Sequence, residues 1–250
     1  MARNAFQKED RITREKERVL KFYGVFNMNF KLLLQALLKY TLGLLLFAIL
    51  TFLPAGTFLY FNGWLLLGVM FSPILIVGIA MLFKNPELLK KRLNSKEKLK
   101  EQSIVVKLSG LMFLLGFVIA GLDFRFNWLP LPNVVPVVAC IVFLMSYLLY
   151  AEVMRENAYL SRTIEVQENQ QVISTGLYGI VRHPMYSTTL LLFLSMPLIL
   201  GSVYAFIVFL AYPFIIAKRI KSEEVLLSKE LEGYKEYTTK VKYRLIPFIW

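Results

Sequence analysis

Long apolar runs alternate with shorter basic stretches along the chain. The apolar runs cover about residues 32–53, 64–83, 104–122, 134–150, 187–200 and 203–217. Crossing a bilayer as a helix takes about 20 residues, within a range of about 17–25. The first four runs reach or approach that length. They predict transmembrane helices, because a backbone in hydrocarbon must satisfy its own hydrogen bonds. The last two runs are shorter and only Gly201 and Ser202 separate them. They predict a tight helical hairpin whose second arm continues through Lys218 and Arg219, with a re-entrant pair as the alternative. The expected fold is therefore all-α: a polytopic membrane protein with about six transmembrane helices, the last two a short hairpin. Three regions are expected: a basic amphipathic segment (1–31), four transmembrane helices with their loop (32–160), and a C-terminal region (161–250).

Charge orients this frame. Basic residues gather before the first run (Arg3 to Lys21) and after the second (Lys84 to Lys100). They gather again after the fourth (Arg155, Arg162, Arg182) and in the tail (Lys218 to Arg244), while the intervening loops hold only Arg125. By the positive-inside rule both termini and both long loops are cytoplasmic. The net charge of +12 thus belongs to juxtamembrane segments, and nucleic acid is not an expected partner. The chain is 57% hydrophobic, above the 45–50% of soluble domains. Its one cysteine, Cys140, lies in an apolar run, and His183 is its one histidine, so no disulfide and no Cys- or His-based metal centre is expected. The first thirty residues are too polar for a cleavable signal peptide, and the first apolar run is long enough to span.

The polar segments carry local signals. Residues 10–30 mix basic positions with Val19, Leu20, Phe22, Tyr23 and Phe26, which suits either a surface-lying amphipathic helix or a basic tail. Asn85-Pro86-Glu87 marks a turn in which Pro86 opens a short helix. Residues 222–241 read as one soluble helix with Leu226, Leu227, Leu231 and Tyr234 on one side, although Gly233 weakens it.

Candidate chemistry is densest between Gln167 and Tyr186. Gln167-Glu168-Asn169-Gln170-Gln171 precedes a loop with Gly176 and Gly179, and then Arg182-His183-Pro184-Met185-Tyr186 leads into the hairpin. Proline at the first helical turn forces the preceding residue out of the α region. Arg182 and His183 therefore sit at a rigid elbow where a loop meets the membrane. Such an elbow serves equally as an interfacial anchor, with Arg182 on a lipid phosphate and Tyr178 and Tyr186 in the aromatic belt. Arg219-Ile220-Lys221-Ser222-Glu223-Glu224 forms a second cluster, and Arg219 and Glu223 share a helix face. The hairpin returns the chain to the side of His183, so the two clusters are expected to face each other at one rim. A third group, Glu152, Arg155, Glu156 and Asn157, reads as a salt-bridged helix end. Asp123 and Arg125 receive no role.

Gly-x-Tyr-x-x-x-Arg-His-Pro-x-Tyr (Gly176 to Tyr186), an apolar hairpin and Arg-x-x-x-Glu-Glu (Arg219 to Glu224) together resemble the isoprenylcysteine carboxyl methyltransferase family, to which phospholipid N-methyltransferases are related. Gly233-Tyr234-Lys235-Glu236-Tyr237 and Ile246-Pro247 also look like that family's tail, so the resemblance covers about residues 167–247. It implies S-adenosylmethionine as methyl donor, bound by the C-terminal region. Gln167 resembles the family's cofactor-binding glutamine. Gln170 stands where a histidine is often found, and Gln171, Val172 and Ile173 follow as a pocket strand. Tyr178, His183, Pro184, Met185 and Tyr186 match positions around the cofactor, and Glu223 matches an acidic cofactor contact. Arg219 matches the arginine near the methyl acceptor and is the catalytic candidate.

The resemblance implies a lipophilic acceptor entering sideways from the bilayer, a prenylcysteine carboxylate first among the choices. A phospholipid amine or a small thiol is the alternative within this class. Outside it stand a sterol-reductase-like membrane enzyme and a non-catalytic transporter or structural protein. The active site is expected on the cytoplasmic side, and the absence of targeting signals leans towards a bacterial inner membrane.

Overall fold

The computed structural model describes residues 30–93, 100–160 and 166–250. The expected surface segment of residues 10–30 lies almost wholly outside the described residues. The helices are α1 (Phe30–Ala55), α2 (Phe61–Lys84), α3 (Pro86–Leu93), α4 (Lys100–Phe126), α5 (Val134–Glu156), α6 (Pro184–Ile199), α7 (Val203–Phe209), α8 (Tyr212–Glu230) and α9 (Tyr234–Lys240). A single 3-10 turn, Gly176–Gly179, precedes α6, and the described residues contain no strand.

Five segments are long and apolar enough to cross a membrane: Phe30–Ala55, Phe61–Lys84, Ser103–Phe126, Val134–Glu156 and Val203–Glu230. Only 11% of the apolar window of α2 is buried, and 33% of that of α4. Apolar side chains left outward in this proportion mark helices solvated by lipid. α6 is apolar but has only 16 residues, about 24 Å of rise against a hydrocarbon layer of about 30 Å.

The chain divides into two compact units. Among the described residues, one comprises those up to Gly43 together with those from Ile74 to Leu93. Within it Pro86 opens α3 as expected, the Asn85 side chain accepts the Leu88 N–H at 3.1 Å, and the Lys39 ammonium donates to the Leu93 carbonyl. The other comprises Leu44–Pro73 and Ser95–Trp250. Here α5 packs along α6, and α4 packs against α7 and α8. Edge-to-face aromatic pairs fill this interior: Phe113 meets Phe193 at 4.8 Å and Phe209 at 5.3 Å, and Phe193 meets Tyr212 at 4.7 Å. In lipid, where apolar contact alone gives helices little reason to associate, such packing is what holds them.

The hairpin forms as expected, turning at Gly201 and Ser202 between α6 and α7. Its second arm breaks at Leu210 and Ala211, because Pro213 has no N–H to continue the ladder. The tip is pinned to α4. The Ser202 hydroxyl donates to the buried Asp123 carboxylate at 2.5 Å and accepts the Ala205 N–H at 3.1 Å, capping α7. The Tyr60 hydroxyl donates to the Leu200 carbonyl at 2.5 Å. Asp123, given no role by the sequence pattern, is thus a structural tie.

The single helix expected over 222–241 is instead two. Gly233 adopts φ +78°, a left-handed turn that stops the chain between α8 and α9. The break folds Tyr234 and Tyr237 back onto Leu231 and Val241, with Val166, Val172 and Leu227 packed around them.

Candidate active site

The site is built where the ends of α5, α6 and α8 meet α9. Gly176 has φ +55°, where a side chain is strained, and a Cβ there would lie 1.7 Å from a Glu156 carboxylate oxygen and displace it, so glycine suits the position. The closeness lets the Glu156 carboxylate accept the Leu177 N–H at 3.0 and 3.2 Å. The Asn157 amide donates to the Tyr178 hydroxyl at 3.0 Å, and the Tyr237 hydroxyl donates to the Tyr178 carbonyl at 2.7 Å. The glycine turn is therefore clamped between the end of α5 and α9. The elbow that follows is held from the tail: the Arg182 and His183 N–H groups donate to the Tyr243 and Arg244 carbonyls, each at 2.9 Å.

Across the hairpin, α8 presents two adjacent carboxylates in different directions. Glu223 accepts from the buried Tyr186 hydroxyl at 2.6 Å, and that hydroxyl accepts from Arg219 Nε at 2.9 Å. Glu224 turns the other way, into a buried cluster with Arg182 Nε at 3.1 Å, His183 Nε2 at 3.3 Å and Arg244 Nε at 2.7 Å. The His183 ring lies near-parallel to that of Tyr186, with centroids 5.7 Å apart. Neighbouring positions on a helix face different sides, so one carboxylate reaches the cavity while the other fixes its wall.

That cavity encloses about 810 Å³ of empty space, its mouth included. Its lining contains Gln170, Gln171, Val172, Ile173, Tyr178, His183, Met185, Tyr186, Arg219 and Glu223, which brings together the residues expected from sequence except two. Gln167 instead braces the loop: its amide donates to the Tyr159 carbonyl at 2.6 Å, and its N–H donates to the Gln170 side chain at 2.9 Å. Pro184 opens α6 behind the wall. The expected pocket strand at 171–173 is an irregular segment, since no neighbouring strand offers it a ladder among the described residues.

The cavity also takes in residues outside the sequence-based set: Asn157, Tyr159 and Leu160 after α5, Arg182 at the elbow, and Leu227, Leu231, Tyr234 and Tyr237 from α8 and α9. Arg182, Tyr234 and Tyr237 stood inside recognisable motifs, and Leu227 and Leu231 on the apolar side of the helix expected over 222–241, whereas nothing in the pattern singled out Leu160. Burial pushes the Tyr178, Tyr234 and Tyr237 phenols well above their ordinary value, which keeps them neutral donors. The Tyr234 hydroxyl is buried and has no hydrogen-bond partner among the described residues. A phenol left so in a cavity wall fits a polar ligand that completes it. A second, apolar groove runs between α5 and α6, floored by Val138, Ala139, Val142, Leu191 and Leu194.

Comparison with known proteins finds likenesses in sequence and in fold. Residues 134–232 match the sequence model of the phospholipid methyltransferase family. The fold superposes on the solved structure of the eukaryotic intramembrane Ras methyltransferase ICMT (isoprenylcysteine carboxyl methyltransferase) with a TM-score of 0.51. That match has 16% sequence identity and covers 93% of this chain and 86% of the other. Mouse Delta(14)-sterol reductase TM7SF2 is 30% identical over 91 residues, which are 35% of this chain and 22% of the reductase. The chain thus shares the fold of that solved structure, and the segment that matches the phospholipid methyltransferase family model includes the elbow, the hairpin and α8.

Proposed function

We propose that this chain is an S-adenosylmethionine-dependent membrane methyltransferase acting on a lipophilic acceptor, most simply a prenylcysteine-type carboxylate. The observation that carries the reading is the convergence of His183–Tyr186 and Arg219–Glu223 on one cavity across the hairpin. The donor, when bound, supplies an electrophilic methyl group for in-line displacement. The protein's own task is alignment and exclusion of water. Glu223 offers a carboxylate to a cationic donor, and the Tyr234 hydroxyl offers an unpaired donor group. Val172, Ile173, Met185, Leu227 and Leu231 supply apolar wall. Arg219 is held through Tyr186, so its guanidinium is fixed where it can orient a carboxylate acceptor. A carboxylate is already ionised near neutral pH and needs no base.

Three features support a lipophilic acceptor and a cytoplasmic mouth. The short rise of α6 leaves the elbow at the edge of the hydrocarbon. The apolar groove along α5 and α6 suits an alkyl chain. The basic segments gather on the side of the elbow and the α8 carboxylates. The deciding experiment offers radiolabelled S-adenosylmethionine to the purified chain with a panel of prenylated peptides, phospholipids and thiols. Base-labile label on the prenyl peptide is expected. Label on a phospholipid amine selects the alternative acceptor, and no transfer to any member refutes the reading. The reductase segment match favours a second reading, a sterol-reductase-like enzyme, whose signature is binding of a reduced nicotinamide in place of the sulfonium donor.

A further inference from the structure

Behind the active-site wall lies a second charged feature that methyl transfer does not use. Lys221, Val225, Ser228 and Lys229 follow one another along one face of α8, and with Lys235 of α9 and Arg244 of the tail they line an open groove of about 1,160 Å³. The three lysines are exposed. The one carboxylate in the groove, Glu224, is already matched by Arg182 and Arg244, and Glu230, Glu232 and Glu236 do not line it. The groove therefore presents unmatched positive charge. Its position is set by the helix that carries it. Val203–Glu230 is a membrane-length segment, and Lys221 lies four residues beyond Ala217, about 6 Å of rise past the apolar stretch. Residues 244–250 fold back beside it: the Arg244 N–H donates to the Trp250 carbonyl at 2.9 Å, and the Arg244 guanidinium lies 5.4 Å from the Trp250 ring centroid. Phe248 and Ile249 on the same segment are 86% and 77% exposed. Exposed apolar residues beside a basic groove at this depth characterise a surface resting on lipid headgroups.

We infer that this groove binds the phosphate headgroup of an anionic phospholipid. Arg244 lines the groove and also holds Glu224, which holds His183 at the cavity wall, so occupancy of the groove is felt at the donor cavity. That coupling rests on the methyltransferase reading; the binding does not.

The test uses native mass spectrometry of the full chain, titrated with phosphatidylglycerol or phosphatidylcholine. A lysine near an anionic surface contributes about a fivefold preference. The native chain is expected to retain phosphatidylglycerol at least about tenfold better than phosphatidylcholine. Lys221→Gln/Lys229→Gln/Lys235→Gln removes that preference with an unchanged melting temperature, and Lys84→Gln/Lys240→Gln keeps it. Equal retention of the two lipids, or an unaltered preference in the triple variant, overturns the inference. Binding of soluble glycerol 3-phosphate as tight as that of the lipid overturns the lipid assignment. In the same samples, calorimetric affinity for S-adenosylhomocysteine is expected to change with phosphatidylglycerol in the native chain and not in the triple variant. A lipid preference without any change in that affinity overturns the coupling alone. A chain that binds the lipid but no S-adenosylhomocysteine at all fails the methyltransferase reading and leaves the lipid site standing.

Discussion

Glu223 and Glu224 are chemically identical neighbours with opposite predicted roles, and separating them tests the geometry of the site. Glu223 lines the cavity and has Tyr186 as its hydrogen-bond donor at 2.6 Å. In Glu223→Gln the amide oxygen still accepts from Tyr186, while the negative charge offered to the donor is lost. A hydrogen bond to a charged group is worth about 1.5–3 kcal/mol, which is roughly a 10- to 150-fold loss of donor affinity. The melting temperature should barely move. Glu224 stays out of the cavity and holds Arg182, His183 and Arg244 at 2.7–3.3 Å. Its side chain and that of Arg182 are 11% and 9% exposed, so Glu224→Gln leaves a buried guanidinium without its counter-charge. Breaking a buried pair costs about 3–5 kcal/mol. Arg244 is 34% exposed and recovers part of its loss in water, so the lower end applies. For a chain of this length about 3 kcal/mol corresponds to a melting decrease of roughly 6–12 °C. Differential scanning fluorimetry in detergent and calorimetric titration with S-adenosylhomocysteine measure both quantities on both variants. The reasoning is refuted if Glu224→Gln loses donor affinity at an unchanged melting temperature while Glu223→Gln keeps it.

The other predictions follow from the same contacts. Gly176→Ala forces a side chain into a left-handed turn and displaces the Glu156 carboxylate, costing about 2–3 kcal/mol and weakening donor binding; native-like affinity would contradict the clamp described for the turn. Ser202→Ala removes both the cap of α7 and the bond to Asp123, lowering stability by about 2–4 kcal/mol. Because α6 separates the hairpin tip from the site by about 24 Å, donor affinity should be retained, which titration of the folded variant checks. The tyrosines give a pH dependence. Their phenol pKa values are raised in the folded state, so the stability they contribute is intact below the ordinary phenol value of about 10 and is lost as pH rises beyond it. Melting should fall above about pH 10, and less steeply in Tyr234→Phe; identical alkaline slopes would show that Tyr234 does not contribute.

What was legible in the sequence was whatever depends on periodicity and on rigid residues. Apolar run length placed the membrane helices, Pro86 and Pro184 marked helix starts, and Gly201-Ser202 marked the hairpin turn. The motif from Gly176 to Tyr186 and that from Arg219 to Glu224 yielded seven of the eighteen residues that line the cavity, because a short hairpin brings its two ends together whatever else the chain does. Features set by tertiary packing were hidden. The turn at Gly233 is decided by Tyr234 and Tyr237 docking on Leu231 and Val241, not by local propensity. Glu156 and Asn157 read as a solvated helix end, yet they clamp the glycine turn, which requires partners about twenty residues away. Gln171, Val172 and Ile173 were expected as a strand and have no strand to pair with among the described residues. The tie that Asp123 makes to the hairpin runs through Ser202, a contact spanning 79 residues.

The most direct measurement is calorimetric titration of S-adenosylhomocysteine into the purified, folded chain, repeated on Tyr186→Phe and Glu223→Gln. Saturable one-site binding in the native chain, weakened in both variants while their melting is preserved, is the predicted result. A folded native chain that takes up none of this ligand, or variants that bind it as tightly as the native chain, would contradict the assignment of the cavity.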